Sequence, residues 1–223
     1  MEFSHWLKGG SFLEVSFLLE LSGEKKKTVQ HIIDKLSVLT NKIEIVDNNI
    51  NEILNYFESG YAYDEENPHS YKIHMLRLKL FVNFSRKRKA TFQIEQVSSN
   101  SLLINFWFFG DKFDAPEFDQ IGIKENEFLE FTTFLMELYK IYEFKVGGIS
   151  FEGDVLGLFD CNEEYPNECY RFENVTPNYF LKETSDFINI IWNENYSSLN
   201  NVPFKYNKLE NSGILIMTSR FIP

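Results

Sequence analysis

The residues best suited to chemistry lie in one short stretch, residues 111–119, with the sequence DKFDAPEFD. It interleaves four carboxylates with two aromatic rings: Asp111, Phe113, Asp114, Glu117, Phe118 and Asp119. At protein interfaces aromatic rings supply the buried contact, whereas charged groups set the association rate and the choice of partner. The pattern therefore predicts a protein-binding surface. In the alternative, both phenylalanines fold back onto the sheet as a lid.

A second acidic stretch, DCNEEYPNEC at residues 160–169, adds three candidate partner-binding residues: Glu163, Glu164 and Glu168. Neighbouring carboxylates are also what a glycoside hydrolase needs for its acid and its base. Where so many residues are acidic, however, adjacent carboxylates are expected by chance, and a solvated loop accounts for them equally well. A hydrolase therefore stays the alternative to a binding protein, and an assembly domain without a discrete site is a third class.

The common catalytic signatures are absent from the sequence. It contains no G-x-G-x-x-G, no P-loop and no H-E-x-x-H. Residues 148–153, GISFEG, resemble a nucleophile elbow but have one residue too many before the second glycine. His69 and His74 are five positions apart, and a metal site would need a third ligand supplied by the fold. We therefore expect no catalytic residue, metal or cofactor.

The charge is distributed unevenly along the chain. The net charge is −11, and residues 111–173 alone carry sixteen acidic and five basic residues, so the remainder sums to zero. Residues 71–90 carry seven basic residues and no carboxylate, and we expect the SRKRK run at 85–89 to form a solvated turn. A pI near 4.9 argues against nucleic-acid binding, which needs a dominant basic surface. The acidic segment instead favours a basic protein partner.

The sequence also constrains membrane association and redox state. Glu2 stands where a signal peptide needs positive charge, and the longest apolar run, residues 102–109, is too short to cross a bilayer. The sequence therefore predicts a cytoplasmic protein without a membrane partner. In that compartment Cys161 and Cys169 are expected to be free thiols, although their spacing also permits a disulfide.

Hydrophobic periodicity predicts the elements that must position the acidic stretches. Alternation predicts strands at residues 12–21, 43–46, 71–84, 91–97, 102–109, 144–151 and 155–159. Apolar runs indicate further strands at 186–192 and 213–218, with a helical turn as the alternative for 186–192. A 3.6-residue period predicts helices at 22–39, with Ser22 as N-cap, and at 125–142, with a short helical turn at 50–57. This order predicts an α+β fold, a largely antiparallel sheet with two main amphipathic helices packed against it. We expect one domain over residues 1–223, or two parts joined near residues 60–70.

Residues 102–109, LLINFWFF, are apolar on both sides apart from Asn105. Such a run is typical of a central strand covered on both faces. The strand leads directly into residues 111–119, so a rigid sheet should present that stretch.

The stretch LLINFWFFGDKFDAPEFDQ, the amphipathic helix after it, the segment KVGGISFEGD and the acidic excess together resemble the α+β immunity proteins of bacterial polymorphic-toxin systems. The resemblance covers the middle half of the chain. It implies a cytoplasmic antidote that binds a cognate toxin domain, often a basic nuclease, and blocks its active site. The acidic residues would then act as a phosphate mimic.

Overall fold

A computed structural model of the chain describes residues 6–39, 41–67, 69–159, 161, 167–177, 186–200, 202 and 204–218. Its helices are α1 (Lys25–Leu36), α2 (Ile50–Ser59) and α3 (Phe128–Tyr142). Its strands are β1 (Phe12–Glu20), β2 (Ile43–Ile45), β3 (Tyr61–Ala62), β4 (Lys72–Ile73), β5 (Met75–Asn83), β6 (Lys87–Ser98), β7 (Ser101–Phe109), β8 (Val146–Phe151), β9 (Phe187–Asn193), β10 (Lys205–Lys208) and β11 (Gly213–Met217).

Within these ranges nine strands form one antiparallel sheet in the order β10-β11-β9-β8-β1-β7-β6-β5-β2. Strands β5, β6 and β7 follow one another as a meander, and β1, the first strand of the chain, lies between β7 and β8. Strands β3 and β4 form a separate small hairpin. The predicted α+β class and the antiparallel sheet are confirmed.

The helices pack on one face of the sheet, which we call the inner face. Alternate residues of β1 and β7, such as Val15 and Phe106, are fully buried there against Phe131 and Leu138 of α3. Helix α1 adds its four buried residues to the same core: Val29, Ile32, Ile33 and Leu36. The apolar period of each helix thus predicts which side of it is buried, as expected for an amphipathic helix.

The opposite, outer face is covered over only part of its area. The segment that follows β8 packs Val155, Leu158 and Phe172 against Trp192 and Leu103 to form a second apolar core. Because this segment lies beside β1 and β8, the outer faces of β5 and β6 are left partly open. Strand β7 is buried along nearly its whole length, which confirms the central position predicted for it.

Several predicted elements differ from those observed, each for a local reason. Residues 155–159 form no strand: Val155–Leu158 is a 3-10 turn, because the side chain of Asp154 accepts from the N–H of Leu156 at 2.7 Å. Helix α1 begins at Lys25, after an N-cap at Glu24, and Ser22 instead accepts a hydrogen bond from Thr28 at its carbonyl. The predicted strand 71–84 divides into β4 and β5, since β4 pairs with β3 outside the main sheet.

The cysteines differ from the expectation of free thiols. Cys161 and Cys169 form a disulfide, with their Cα atoms 6.1 Å apart. The chain is turned back at this point by Asn167, whose side chain accepts from the N–H of Cys169 at 3.0 Å. None of the helices in the described ranges is both long enough and apolar enough to span a membrane.

Candidate protein-binding surface

Residues 111–119, which we call the interface loop, are held in place at both ends by the sheet. The N–H of Gly110 donates to Ser11 at 2.8 Å, and that of Ile123 donates back to Asp111 at 2.7 Å. Between them Ala115 and Gln120 exchange two backbone hydrogen bonds of 2.8 and 3.1 Å. The loop is therefore a defined turn that projects beyond the end of β7.

The basic run at residues 85–89 holds the interface loop and the residues that follow it through hydrogen bonds. Arg88 is buried and donates to the carbonyls of Ile121 and Gly122 at 2.7 and 3.2 Å, and to Glu127 at 2.8 Å. Arg86 donates to the same Gly122 carbonyl at 2.8 Å and to both oxygens of Glu127 at 2.9 Å. The other two basic side chains also make internal contacts, since Lys87 donates to Glu44 at 2.6 Å and Lys89 donates to the carbonyl of Phe118 at 2.9 Å. The run is therefore only in part the solvated turn that the sequence predicts.

The two phenylalanines of the interface loop have different environments. Phe113 is 81% exposed, whereas Phe118 is 38% exposed and lies under the ammonium group of Lys8, 5.2 Å from its ring centroid. The lid alternative therefore fits Phe118 in part and does not fit Phe113. Such an exposed ring on a pinned loop is available to a partner at little ordering cost.

The carboxylates of the interface loop are partly neutralised by the basic run. Asp114 lies 3.5 Å from Arg86, and Asp119 lies 3.4 Å from Lys89. Within the described part of the chain, Asp111 and Glu117 form no ion pair. The exposed acidic surface is therefore carried chiefly by these last two residues.

A shallow groove of about 320 Å³ lies beside the loop, and we call it the aromatic groove. It is lined by Trp6, Lys8, Lys89, Pro116, Glu117, Phe118 and Asp119. The indole of Trp6 donates to the carbonyl of Ala90 at 2.9 Å and packs edge-on against Phe81, which fixes the wall of the groove. Residues from the N-terminal segment, the basic run and the interface loop thus meet on one surface.

The second acidic stretch lies elsewhere. Glu163 and Glu164 fall outside the described residues. Glu168 accepts from the N–H and the hydroxyl of Ser99, at 2.9 and 2.8 Å, in the turn between β6 and β7. The interface loop follows the other end of β7, roughly 30 Å away for a nine-residue strand. The structure therefore does not bring Glu168 together with the interface loop.

The outer face also carries a polar group of residues that the sequence reading missed. Register places Glu14 of β1 opposite Trp107 of β7, and the indole N–H of Trp107 donates to Glu14 at 2.8 Å. Glu95 of β6 and Asp154 of the 3-10 turn complete a set of three half-buried carboxylates, which we call the carboxylate cluster.

Burial and mutual repulsion disfavour ionisation in the carboxylate cluster. Burial, followed by the charge of Asp154, raises the pKa of Glu14 to about 7. The same two causes raise the pKa of Glu95, and burial raises that of Asp154. Perturbed ionisation of this kind often marks a functional site.

The remaining candidates for chemistry have structural roles. The Nδ1 atom of His74 lies 2.8 Å from the carbonyl of Phe57, and burial lowers the pKa of this histidine. Ser150 is buried and donates to the carbonyl of Gly153, which closes the turn after β8. Across the residues that the structure describes, no three histidine, cysteine or acidic side chains are placed to hold a metal ion.

Comparison with known proteins does not extend this description. The chain matches no protein-family model, no curated protein and no solved structure.

Proposed function

We propose that this chain is a non-enzymatic binding protein that recognises a protein partner through the interface loop. The observation that supports the proposal most directly is Phe113, an 81% exposed ring on a loop that backbone hydrogen bonds and two arginines hold in place. Because the backbone of the loop is already fixed, little additional backbone entropy is lost when a partner covers the ring. Exposed aromatic anchors of this kind carry much of the binding energy of protein interfaces.

The charge of the surface indicates a basic partner. Asp111 and Glu117 flank the ring without ion pairs in the described residues, and the chain as a whole carries a net charge of −11. Complementary charge accelerates association and selects among partners. The resemblance to immunity proteins implies that the partner is a toxin domain whose active site the loop covers, and we carry that identification as part of the proposal.

The first prediction concerns Phe113. Phe113→Ala should weaken binding of the cognate protein at least about thirtyfold, since anchor residues contribute about 2 kcal/mol or more. The wild-type chain would first be used to recover its partner from the native host, and affinities would then be measured by biolayer interferometry. Leu129→Ala is the matched control, because Leu129 is similarly exposed, at 73%, but lies outside the loop.

Charge variants test the same surface independently. Asp111→Asn with Glu117→Gln should slow association and weaken its dependence on salt, with little effect on dissociation. Recovery of a partner that binds Phe113→Ala and this double variant as tightly as it binds the wild-type chain would refute the proposal.

The competing interpretation is a hydrolase that uses paired carboxylates. The observation in its favour is the carboxylate cluster, where Glu14 has a pKa of about 7, a value suited to proton transfer. The carboxylate cluster is half-buried and polar, whereas enzyme sites are usually concave and mostly apolar. A hydrolytic activity lost in Glu14→Gln and retained in Phe113→Ala would favour the enzyme over the binding protein.

A further inference from the structure

The carboxylate cluster surrounds a buried asparagine at the centre of the outer face. Asn105 of β7 lies directly between Ser16 of β1 and Gln93 of β6. Glu14 and Glu95 are displaced by two residues from these neighbours, in opposite directions, so they flank Asn105 diagonally. Diagonal neighbours of this kind are within reach of long side chains.

Asp154 is held above the same point. The N–H of Val155, the residue after it, donates to the hydroxyl of Ser16 at 2.9 Å, which fixes the 3-10 turn over the polar row. Asp154 is near enough to both glutamates to affect the ionisation of each. Glu14 and Glu95 are therefore diagonal neighbours of Asn105 in the sheet, and Asp154 lies close to both glutamates.

The cluster has more acceptors than donors. Asn105 is 2% exposed, and its Oδ1 atom has no hydrogen-bond donor among the described residues. A buried acceptor without a partner costs roughly 1–3 kcal/mol, so a donor that reached it would be bound favourably. This atom is an observation independent of the acidic side chains, and it identifies the missing group as a hydrogen-bond donor.

The positive charge nearby does not balance the three carboxylates. Arg77 donates to Gln93 at 2.7 Å, and its guanidinium lies 4.9 Å from the centre of the Trp107 ring. The ring of Phe12 also stacks on this indole, with centroids 6.3 Å apart, so Arg77 and Phe12 both pack on Trp107. Arg77 favours ionisation of Glu95, but the pKa of each of the three carboxyl groups is still raised, so a second cation would stabilise their charged forms.

We infer that the carboxylate cluster is a binding site for a guanidinium group, donated by an arginine side chain of the protein partner. A guanidinium has five donors in a planar fork, which suits acceptors spread over neighbouring strands. A bare metal ion needs its ligands within about 2.6 Å, and the described residues provide no three-ligand set of that kind. The inference that the cluster binds a guanidinium group is independent of the proposed function. Only the identification of a protein partner as the source of the arginine rests on it.

The test uses a small probe, so it does not require the partner. N-acetyl-arginine amide would be titrated into the ¹⁵N-labelled chain, with the indole N–H signal of Trp107 as the readout because this group bonds Glu14. The signal would be assigned with Trp107→Phe. The neutral isostere N-acetyl-citrulline amide is the ligand control. We expect saturable shifts with the arginine probe and at least about tenfold weaker binding of citrulline, the difference expected for a charge-assisted hydrogen bond.

Variants locate the probe. Glu14→Gln, Glu95→Gln and Asp154→Asn should each weaken its binding about fivefold or more, since each removes one charged acceptor. Asparagine remains a good N-cap, so Asp154→Asn should keep the 3-10 turn, and circular dichroism would verify that all three variants fold. Glu117→Gln, a carboxylate of the interface loop, is the matched control and should bind the probe as the wild-type chain does.

Three results would overturn the inference: no saturable shift with the arginine probe, equal shifts with arginine and citrulline, or an equivalent response to Mg²⁺ or Ca²⁺ alone. The outcome is separable from that of the proposed function. Phe113→Ala should bind the arginine probe normally, so loss of partner binding in that variant tests the interface loop alone.

Discussion

At the scale of residues, Phe113 and Phe118 illustrate how similar sequence positions acquire different roles. Each lies next to a carboxylate in the same nine-residue stretch. Phe118 lies beside the N-terminal segment, where Lys8 covers part of its ring, whereas Phe113 faces outward. The sequence does not distinguish them, because the covering residue lies more than a hundred positions away.

The second prediction concerns the ionisation of Glu14. Its pKa is raised from 4.5 to about 7 in the folded chain, so between these values the folded state retains a proton that the unfolded chain has released. The free energy of unfolding should therefore decrease as the pH rises through this window. Glu14→Gln removes this penalty and should be more stable than the wild-type chain above pH 7, by about 2 kcal/mol.

Urea denaturation of both chains from acidic to mildly alkaline pH would measure the difference. The amide oxygen that Glu14→Gln introduces can still accept from the Trp107 indole, so the substitution isolates the charge. Parallel stability curves for the two chains across this range would contradict the prediction.

The interface loop could be predicted from local composition, but the carboxylate cluster could not. Alternation in β1, β6 and β7 assigns Glu14, Glu95 and Asn105 to polar faces of their strands, without giving the register that brings them together. The position of Asp154 is still harder to predict, because the sequence pattern indicates a strand at residues 155–159, whereas these residues begin with a 3-10 turn that Asp154 caps. The register between strands that are distant in the sequence determines such a site, and the periodicity of a single sequence does not reveal that register.

At the scale of elements, the connection between β7 and α3 is organised by one buried ion pair. Glu127 accepts from Arg86 and Arg88 and from the N–H of Lys124 at 2.7 Å. Burial opposes ionisation of Glu127, but the Lys124 N–H and the two guanidinium groups outweigh it and lower its pKa. The basic run and the start of α3 are thus joined through one carboxylate.

The third prediction is that Glu127→Gln destabilises the fold by about 3 kcal/mol near neutral pH, since it leaves a buried guanidinium without its counter-charge. The difference should shrink as the pH falls from 4.5 through the lowered pKa of folded Glu127, because first the unfolded chain and then the folded chain is protonated at this residue. Chemical denaturation of both chains at several pH values would measure this difference in the free energy of unfolding. Glu125→Gln, in the same turn but without these contacts, is the control; a similar loss in both variants would argue against the ion pair.

The fourth prediction concerns the disulfide. Reduction, or Cys161→Ser with Cys169→Ser, should lower the free energy of unfolding by about 2 kcal/mol, the value expected for a short closed loop. Intact mass with and without reduction tests whether the bond is present, and urea denaturation tests its contribution. Detection of two free thiols in the natively purified chain would show that the pair does not form in its own compartment.

Most elements follow from local pattern, and the exceptions have identifiable causes. Strand β10 has four exposed residues and lies at the sheet edge, so it carries no hydrophobic alternation to detect. Helix α2 was predicted only as a short turn, because just Leu54 and Phe57 are buried along its ten residues. Strand β1 and helix α3 were found readily, since each has one continuous apolar side.

At the scale of the whole molecule, the aromatic core depends on the close approach of the Phe144 and Phe17 side chains to the backbone of β8 at Gly147. A Cβ atom on Gly147 would lie 2.5 Å from the Phe144 ring and 3.0 Å from Cβ of Phe17. Phe144 and Phe17 themselves stack with centroids 4.8 Å apart. The absence of a side chain on Gly147 therefore permits the aromatic core to close over the middle of the sheet.

The fifth prediction is that Gly147→Ala costs about 1–3 kcal/mol of stability through overpacking. Thermal unfolding followed by circular dichroism would measure the loss. Gly157→Ala is the matched control, because no atom lies within 4 Å of the added Cβ there. Equal melting temperatures for Gly147→Ala and the wild-type chain would mean that the rings relax without cost.

The position of β1 affects how the chain can fold as it is synthesised. Translation produces this strand well before its two neighbours, β7 and β8, which begin only at Ser101 and Val146. Until those residues have left the ribosome, the apolar side of β1 has no strand to pair with, and closing such long loops is slow. The emerging polypeptide must therefore keep the apolar side of β1 unpaired while residues 21–100 are synthesised, a period in which chaperones would have the most to protect.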